Sequence, residues 1–332
     1  MPNLTKHHPA KFWDAKGGSI QCWLCPHLCT LSEGQSGQCS VRKVIDGELV
    51  STIYSLPSAL RVDPIEKKPL YHFLPGSKSF SVGTHGCNMT CDFCQNWHLS
   101  TQPGHANVKV SPEEIVSEAL EASCQSIAFT YNEPIVFAEY AMDIRDLANK
   151  ANIPCVFITN GYITPEAREE VFANIKAVNI DLKAFSEDIY IKYTGAQLKP
   201  VLDTIKWCIQ EGIHTELTTL IIPGVNDDPD MIKKECQWIS KHCGNDTVLH
   251  INAFHPDHKM KDYPRTSRAV LQRCKEIAHK CGLKYVYVGN YPGFDNNTYC
   301  PECGETIIKR DLYSVSGNAS HIHELPIIWR VS

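Results

Sequence analysis

The chain has 332 residues, 43% hydrophobic and 21% charged, which is enough for a sizeable core and too long for one minimal domain. Its 32 Lys and Arg against 37 Asp and Glu leave a formal charge of −5, so nucleic acid is not expected as a partner. Residues 1–10 carry no apolar run of signal-peptide length and no later stretch is long enough to span a bilayer, so a cytoplasmic protein without a membrane partner is expected.

Sixteen cysteines are the anomaly. In a reducing cytosol they are not expected to pair as disulfides. In chain order the first group is Cys22, Cys25, Cys29 and Cys39, four thiols within 18 positions, with Gly34 and Gly37 allowing the turns that return Cys39 to the others. Four thiolates this close suit either a zinc ion or an iron–sulfur cluster, and spacing does not choose between them. Residues 1–60 are therefore expected to form a Cys-rich metal knuckle. Residues 61–78 hold three prolines, Pro64, Pro69 and Pro75, which preclude a regular helix and predict a connector. Its Lys67, Lys68 and His72 suit either the mouth of a site or a solvated edge.

From residue 79 a repeating pattern begins. Strands are expected at 80–84, 126–130, 155–159, 177–182, 215–222, 248–254 and 284–288, each a short, nearly continuous apolar run. Helices are expected between them. Ser111-Pro112-Glu113-Glu114 and Thr164-Pro165-Glu166 read as helix starts, and further helices are expected over 135–151, 201–210, 230–242 and 267–279. Such alternation predicts a parallel sheet covered by helices, closer to a partial (β/α)6 TIM-like barrel over 79–290 than to an open sheet. In these folds chemistry sits after the C-terminal ends of the strands. The polar motifs fall there: the cysteine loop after the first strand, residues 131–134 after the second, 159–161 after the third, Asp181 and Lys183 at the fourth, 222–227 at the fifth, His255 after the sixth and Gly289-Asn290 after the last.

The cysteine loop, Cys87-Asn-Met-Thr-Cys91-Asp-Phe-Cys94, supplies three thiolates where a closed [4Fe–4S] site needs four. A cluster held by three keeps one iron open to a small-molecule ligand. A zinc knuckle completed by His85 or His98 is the competing reading. Residues 291–332 form a tail with Cys300-Pro-Glu-Cys303, which His321 and His323 could complete as a zinc site; one His plus water, or no metal, stays open. The seven remaining cysteines, scattered over helices and strands, are expected to be small buried hydrophobes.

The series Cys87/Cys91/Cys94, Tyr131-Asn-Glu-Pro134, Thr159-Asn-Gly161 and Asp181-Leu-Lys183 resembles the radical S-adenosylmethionine (SAM) core in its usual order. Over nearly the whole chain, including residues 63–76, Cys94-Gln-Asn-Trp97 and Tyr299-Cys-Pro-Glu-Cys303, the sequence is similar to the radical SAM enzymes of the AmmeMemoRadiSam system, relatives of pyruvate formate-lyase activating enzyme. The resemblance implies a [4Fe–4S] cluster on Cys87, Cys91 and Cys94, and SAM chelating its open iron. It implies cofactor contacts from Asn132 and Glu133 near the SAM amino group, from Thr159, Asn160 and Gly161, from Lys183 toward a carboxylate and from Phe93 near adenine, with Glu216 and His255 as weaker candidates. The motif at 131–134 keeps only the Glu-Pro of the family's Gly-Gly-Glu-Pro-like segment. The implied activity is reductive cleavage of SAM to a 5′-deoxyadenosyl radical that abstracts hydrogen from a protein, peptide or small-molecule substrate, with Asp181 and Lys183 as candidates near the chemistry. Electrons would come from a reductant such as flavodoxin or ferredoxin. SAM-dependent group transfer on the same fold, or a non-catalytic zinc-binding protein, are the alternatives.

Overall fold

The computed structural model describes residues 7–101 and 108–316. Its centre is an eight-stranded sheet whose spatial order follows the chain without a crossover. We number its strands β1 (Ala59–Pro64), β2 (Lys78–Gly83), β3 (Ser126–Phe129), β4 (Cys155–Thr159), β5 (Ile175–Asp181), β6 (His214–Ile221), β7 (Val248–Ala253) and β8 (Val286–Gly289). β1 runs antiparallel to β2; every later pairing is parallel. The seven strands expected from the apolar runs are all present. Parallel strands buried on both faces must be apolar throughout, and Ile127, Ala128, Phe129, Val156 and Val178 are fully buried. Sequential parallel order with a helix between neighbours is the wiring of a (β/α) barrel; here β1 and β8 end the sheet, so the barrel is partial.

Helix starts follow capping chemistry. Ser111 and Glu114 form a reciprocal capping box ahead of Pro112–Glu121, and Thr164, Asp228 and Ser267 cap Pro165–Phe172, Pro229–Cys243 and Arg268–Lys280. An edge-to-face series, Phe129–Phe157–Phe172, packs sheet against helix. Of the scattered cysteines, Cys124, Cys155, Cys208, Cys236 and Cys274 are buried, as small core residues are.

Residues 61–78 do more than connect. Their first part lies in β1, and Ile65–Lys67 forms a single 3-10 turn. Ile65 and Leu70 then pack inside the barrel against Ala128, Val156 and Ala177, closing its floor. Lys68, 2% exposed, is paired with Asp63 at 2.7 Å, and His72 is bonded to the Tyr287 hydroxyl at 2.7 Å. Neither lines a site mouth or a solvated edge.

The N-terminal module is two small antiparallel sheets, Trp13–Lys16 with Ser19–Cys22 and Thr30–Leu31, and His8–Pro9 with Glu48–Ser51 and Arg42–Ile45. Buried Arg42 fastens it to the barrel: its guanidinium donates to both Glu139 carboxylate oxygens, at 2.8 and 3.0 Å, on helix Ala138–Lys150. Removing one partner of such a pair typically costs about 3–5 kcal/mol.

Candidate active site at the C-terminal rim

The cysteine loop leaves β2 at the C-terminal rim and is held from every side. Asn132 engages its whole amide there: Oδ1 accepts from the Thr84 N–H at 2.8 Å, and Nδ2 donates to Thr84 Oγ1, His85 O and Gly86 O at 3.0 Å. Helix Glu187–Thr194 ends against the loop, with the Thr90 and Asp92 N–H groups donating to the Thr194 and Tyr193 carbonyls. The turn at Gly195 has φ +69°, and a Cβ there would stand 2.7 Å from Thr90 Oγ1, so only glycine fits. A one-turn helix, Trp97–Ser100, closes the loop by donation of the Gly86 N–H to the Leu99 carbonyl. Lys259, beyond β7, is ion-paired with Asp92 at 2.9 Å.

Around the three thiols stand the polar groups of the neighbouring strand ends. Withdrawal from water lifts the Cys87 thiol well above the ordinary range and Cys91 to about 12; Glu133 adds to the effect at Cys87, while Lys183 opposes it at Cys91. Such thiols ionise when a cation arrives to take the thiolates. The Met89 N–H donates to Cys87 Sγ at 3.4 Å, and Cys94 Sγ lies 3.3 Å from Ser100 Oγ. Three cysteines on one backbone-anchored loop, with Cys91 and Cys94 near enough to act on the Cys87 charge, are a donor set whose chemistry fits an iron–sulfur cluster.

Glu133 is buried. Its Oε1 accepts from the Ile135 N–H at 3.1 Å and the Thr159 hydroxyl at 2.5 Å, its Oε2 from the Asn160 N–H at 2.7 Å. Desolvation raises its carboxyl to about 7, in spite of these bonds. Asn160 Nδ2 donates to Asn88 Oδ1 at 2.8 Å, within the cysteine loop. Gly161 has φ +66°, and a Cβ there would press on Ile180 at 3.0 Å, so its glycine is explained by packing inside the fold. Lys183 Nζ donates to Asp181 Oδ2 at 2.7 Å; burial alone would lower its pKa, but the Asp181 and Cys91 charges outweigh it and push the ammonium above the usual lysine range. Phe93 is 4% exposed and packs with Ile222, Phe254 and Met260 where β6 and β7 end, and His255 follows Phe254, half-buried.

Glu216 is not part of this constellation. It sits near the N-terminal end of β6, on the barrel floor, and accepts from the Tyr71 and His72 N–H groups at 2.9 and 2.7 Å and from His214 and His250 at 2.9 and 2.7 Å. The strand is the one the sequence pattern predicts, but Glu216 lies at its end away from the three cysteines. Two rim residues were not singled out. Asn88 bridges the loop to Asn160 and Tyr162, and Asn226 donates to the Lys183 and Leu220 carbonyls at 2.8 Å. Asn226 lay within the noted 222–227 motif; Asn88 had no signal beyond its place between two cysteines.

In the tail, Cys300 and Cys303 lie on a tight turn, with the Gly304 N–H donating to the Cys300 carbonyl at 2.9 Å. Backbone N–H groups of Cys303 and Glu302 lower the Cys300 thiol. The other two expected zinc ligands, His321 and His323, lie outside the described residues.

A parallel barrel carrying a three-cysteine loop on its C-terminal rim defines an iron–sulfur α/β barrel, and comparison with known proteins makes the class specific. The family model for the radical SAM superfamily matches residues 81–236. The uncharacterized protein MJ0808 of Methanocaldococcus jannaschii is 40% identical over 298 residues, 89% of each chain. The pyruvate formate-lyase 1-activating enzyme of Escherichia coli (strain K12) is 21% identical over 232 residues, 64% of this chain and 93% of that enzyme. A radical SAM methyltransferase from Sphaerobacter thermophilus shares the fold with a TM-score of 0.52 at 15% identity, over 70% of this chain and 71% of its own. The chain belongs to the radical SAM superfamily, a family of enzymes that use a [4Fe–4S] cluster and SAM. Among the described residues no helix is long and apolar enough to cross a membrane.

Proposed function

We propose that this chain is an activating-enzyme-like radical SAM oxidoreductase, taking a hydrogen atom from a protein or peptide substrate. The observation that carries the reading is the loop of Cys87, Cys91 and Cys94, three thiols held on the rim beside Glu133 and the Asp181–Lys183 pair. Cys87, Cys91 and Cys94 would hold the cluster. Bound there, cluster and SAM supply one-electron cleavage of a sulfonium carbon–sulfur bond and a 5′-deoxyadenosyl radical.

The chain's own residues do the rest. Glu133, buried without a cationic partner among its hydrogen-bond donors, is placed to accept an ammonium. Lys183 holds a positive charge suited to a carboxylate, and Asp181 orients it. Asn160 keeps the Glu133 carboxylate turned toward the loop through its backbone N–H. Phe93 and Phe254 give an apolar wall that suits an adenine face and excludes water. A flavodoxin- or ferredoxin-type protein would supply the electron.

The test is anaerobic reconstitution with iron and sulfide, reduction by dithionite and chromatography for 5′-deoxyadenosine. Conversion of SAM that disappears in Cys91→Ala supports the reading. A reconstituted, iron-loaded protein that leaves SAM intact would sink it. Transfer of the SAM methyl group to an acceptor would favour group transfer instead.

A further inference from the structure

Cys22, Cys25, Cys29 and Cys39 line one small pocket in the N-terminal module, together with Arg42 and Asn88. Gly37 forms part of its wall, where a Cβ would stand 3.6 Å from Cys29 Sγ and 3.8 Å from Cys39 Sγ. The absent side chain keeps both sulfurs open to the pocket.

Arg42 supplies an independent observation. It is 2% exposed, and its terminal nitrogens are bonded to Glu139 and to the Lys11 carbonyl. Among the described residues its Nε–H has no partner, although it is buried and belongs to a residue lining the cysteine pocket. A buried guanidinium N–H without an acceptor is a group waiting for one, and thiolate or sulfide sulfur accepts hydrogen bonds. The positive charge also offsets part of the charge that four thiolates would bring.

The kind of metal follows from how the sulfurs are arranged. A tetrahedral zinc site requires four sulfurs about 2.3 Å from a single centre. Here the four cysteines border a cavity that reaches on to Leu24, Ile135 and Val136, and a cavity with such an apolar wall suits a polynuclear cluster, in which each iron takes its own thiolate.

We propose that this pocket holds a second [4Fe–4S] cluster, ligated by Cys22, Cys25, Cys29 and Cys39, with the Arg42 Nε–H donating to a cluster sulfur. With all four irons ligated by protein it has no open corner for SAM, and it is an electron-carrying centre. It stands directly behind the radical loop. His27 Nε2 lies 2.7 Å from the Asn88 carbonyl, Asn88 is part of both the loop and the pocket, and a Cβ on Gly86 would meet the Cys39 carbonyl at 2.5 Å.

The test removes the other site and leaves this one untouched. The triple variant Cys87→Ala/Cys91→Ala/Cys94→Ala, reconstituted without oxygen in a mixture of iron, sulfide and zinc, should retain about four irons and four sulfides per chain, against about eight of each in the wild type. On dithionite reduction its electron paramagnetic resonance spectrum should not change when SAM is added. The reciprocal variant Cys22→Ser/Cys25→Ser should also retain about four irons, with a spectrum that SAM does change. Either half-loss supports the second cluster, even where the other variant fails to fold. About four irons in both the wild type and the triple variant would support this site and sink the radical one. One zinc per chain with no iron in the folded triple variant, or no metal at all, overturns the proposal.

Discussion

Two buried glutamates, one at each end of the barrel, are pushed in opposite directions. Both would be raised by desolvation. At Glu216, on the floor, hydrogen bonds from His214 and His250 outweigh that effect and hold the carboxyl well below its usual range. At Glu133, on the rim, the donors are a hydroxyl and two backbone N–H groups, and the carboxyl stays at about 7. The floor has answered its own charge with imidazoles and needs no ligand. The rim has surrounded its carboxylate with neutral donors, which is the condition for an incoming cation to bind tightly. Burial and residue type are alike at the two positions; what separates the two carboxylates is whether the fold itself supplies charged or imidazole partners.

The sharpest way to break this comparison is to remove each carboxylate. Glu216→Ala leaves two imidazoles and two backbone N–H groups without their acceptor, and should lower folding stability by about 3–5 kcal/mol in denaturant titration. If it costs less than 1 kcal/mol, the floor network is not what fastens residues 65–73. A third buried glutamate offers a control without any ligand. Among the described residues Glu235 bonds only to the Thr219 hydroxyl, and desolvation raises it from 4.5 to about 7. Between those two pH values the folded chain keeps a proton that the unfolded chain has released, so stability should fall by roughly 3 kcal/mol as pH rises through the window. Glu235→Gln should flatten that part of the profile. Glu133→Gln is expected to weaken SAM binding by roughly tenfold to a hundredfold in equilibrium dialysis, while costing about 1 kcal/mol in stability. An unchanged SAM affinity would end the argument for an ammonium site. The smallest effect is expected at the loop's support: Gly195→Ala should cost about 1–2 kcal/mol by strain at positive φ and by contact with Thr90. It should also slow loading of the radical-site cluster, measured by iron uptake.

The parallel strands were readable because burial on both faces leaves almost no alternative to apolar runs, and the rim motifs because strand ends are where loops become free to carry polar groups. Glu187–Thr194 escaped notice for a physical reason. Its Ile-Tyr-Ile-Lys-Tyr core alternates like a strand, yet the Ser186 cap, Glu187 and Asp188 in the first turn and left-handed Gly195 at the end make it a helix. β1 was missed because Pro64 and the charges at Arg61 and Asp63 look like a connector; an antiparallel edge strand tolerates both. Glu216 was placed on the right strand and at the wrong end, because sequence reports which strand a residue joins more clearly than which neighbours reach it. The clustering of the first four cysteines was visible in their spacing. That they back onto the radical loop was not, since the contacts of Cys39 with Gly86 and His27 with Asn88 span distant stretches of chain.

Arg310 has a consequence for how the molecule is made. Its guanidinium stacks 4.5 Å from the centre of the Tyr71 ring and donates to the Tyr71 carbonyl at 2.6 Å and to Thr298 Oγ1 at 2.6 Å. A residue 239 positions further along the chain thus bolts down the segment that plugs the barrel. During synthesis the plug cannot be locked until Arg310 itself has left the ribosome, so the strands between the two are made before their floor is fastened.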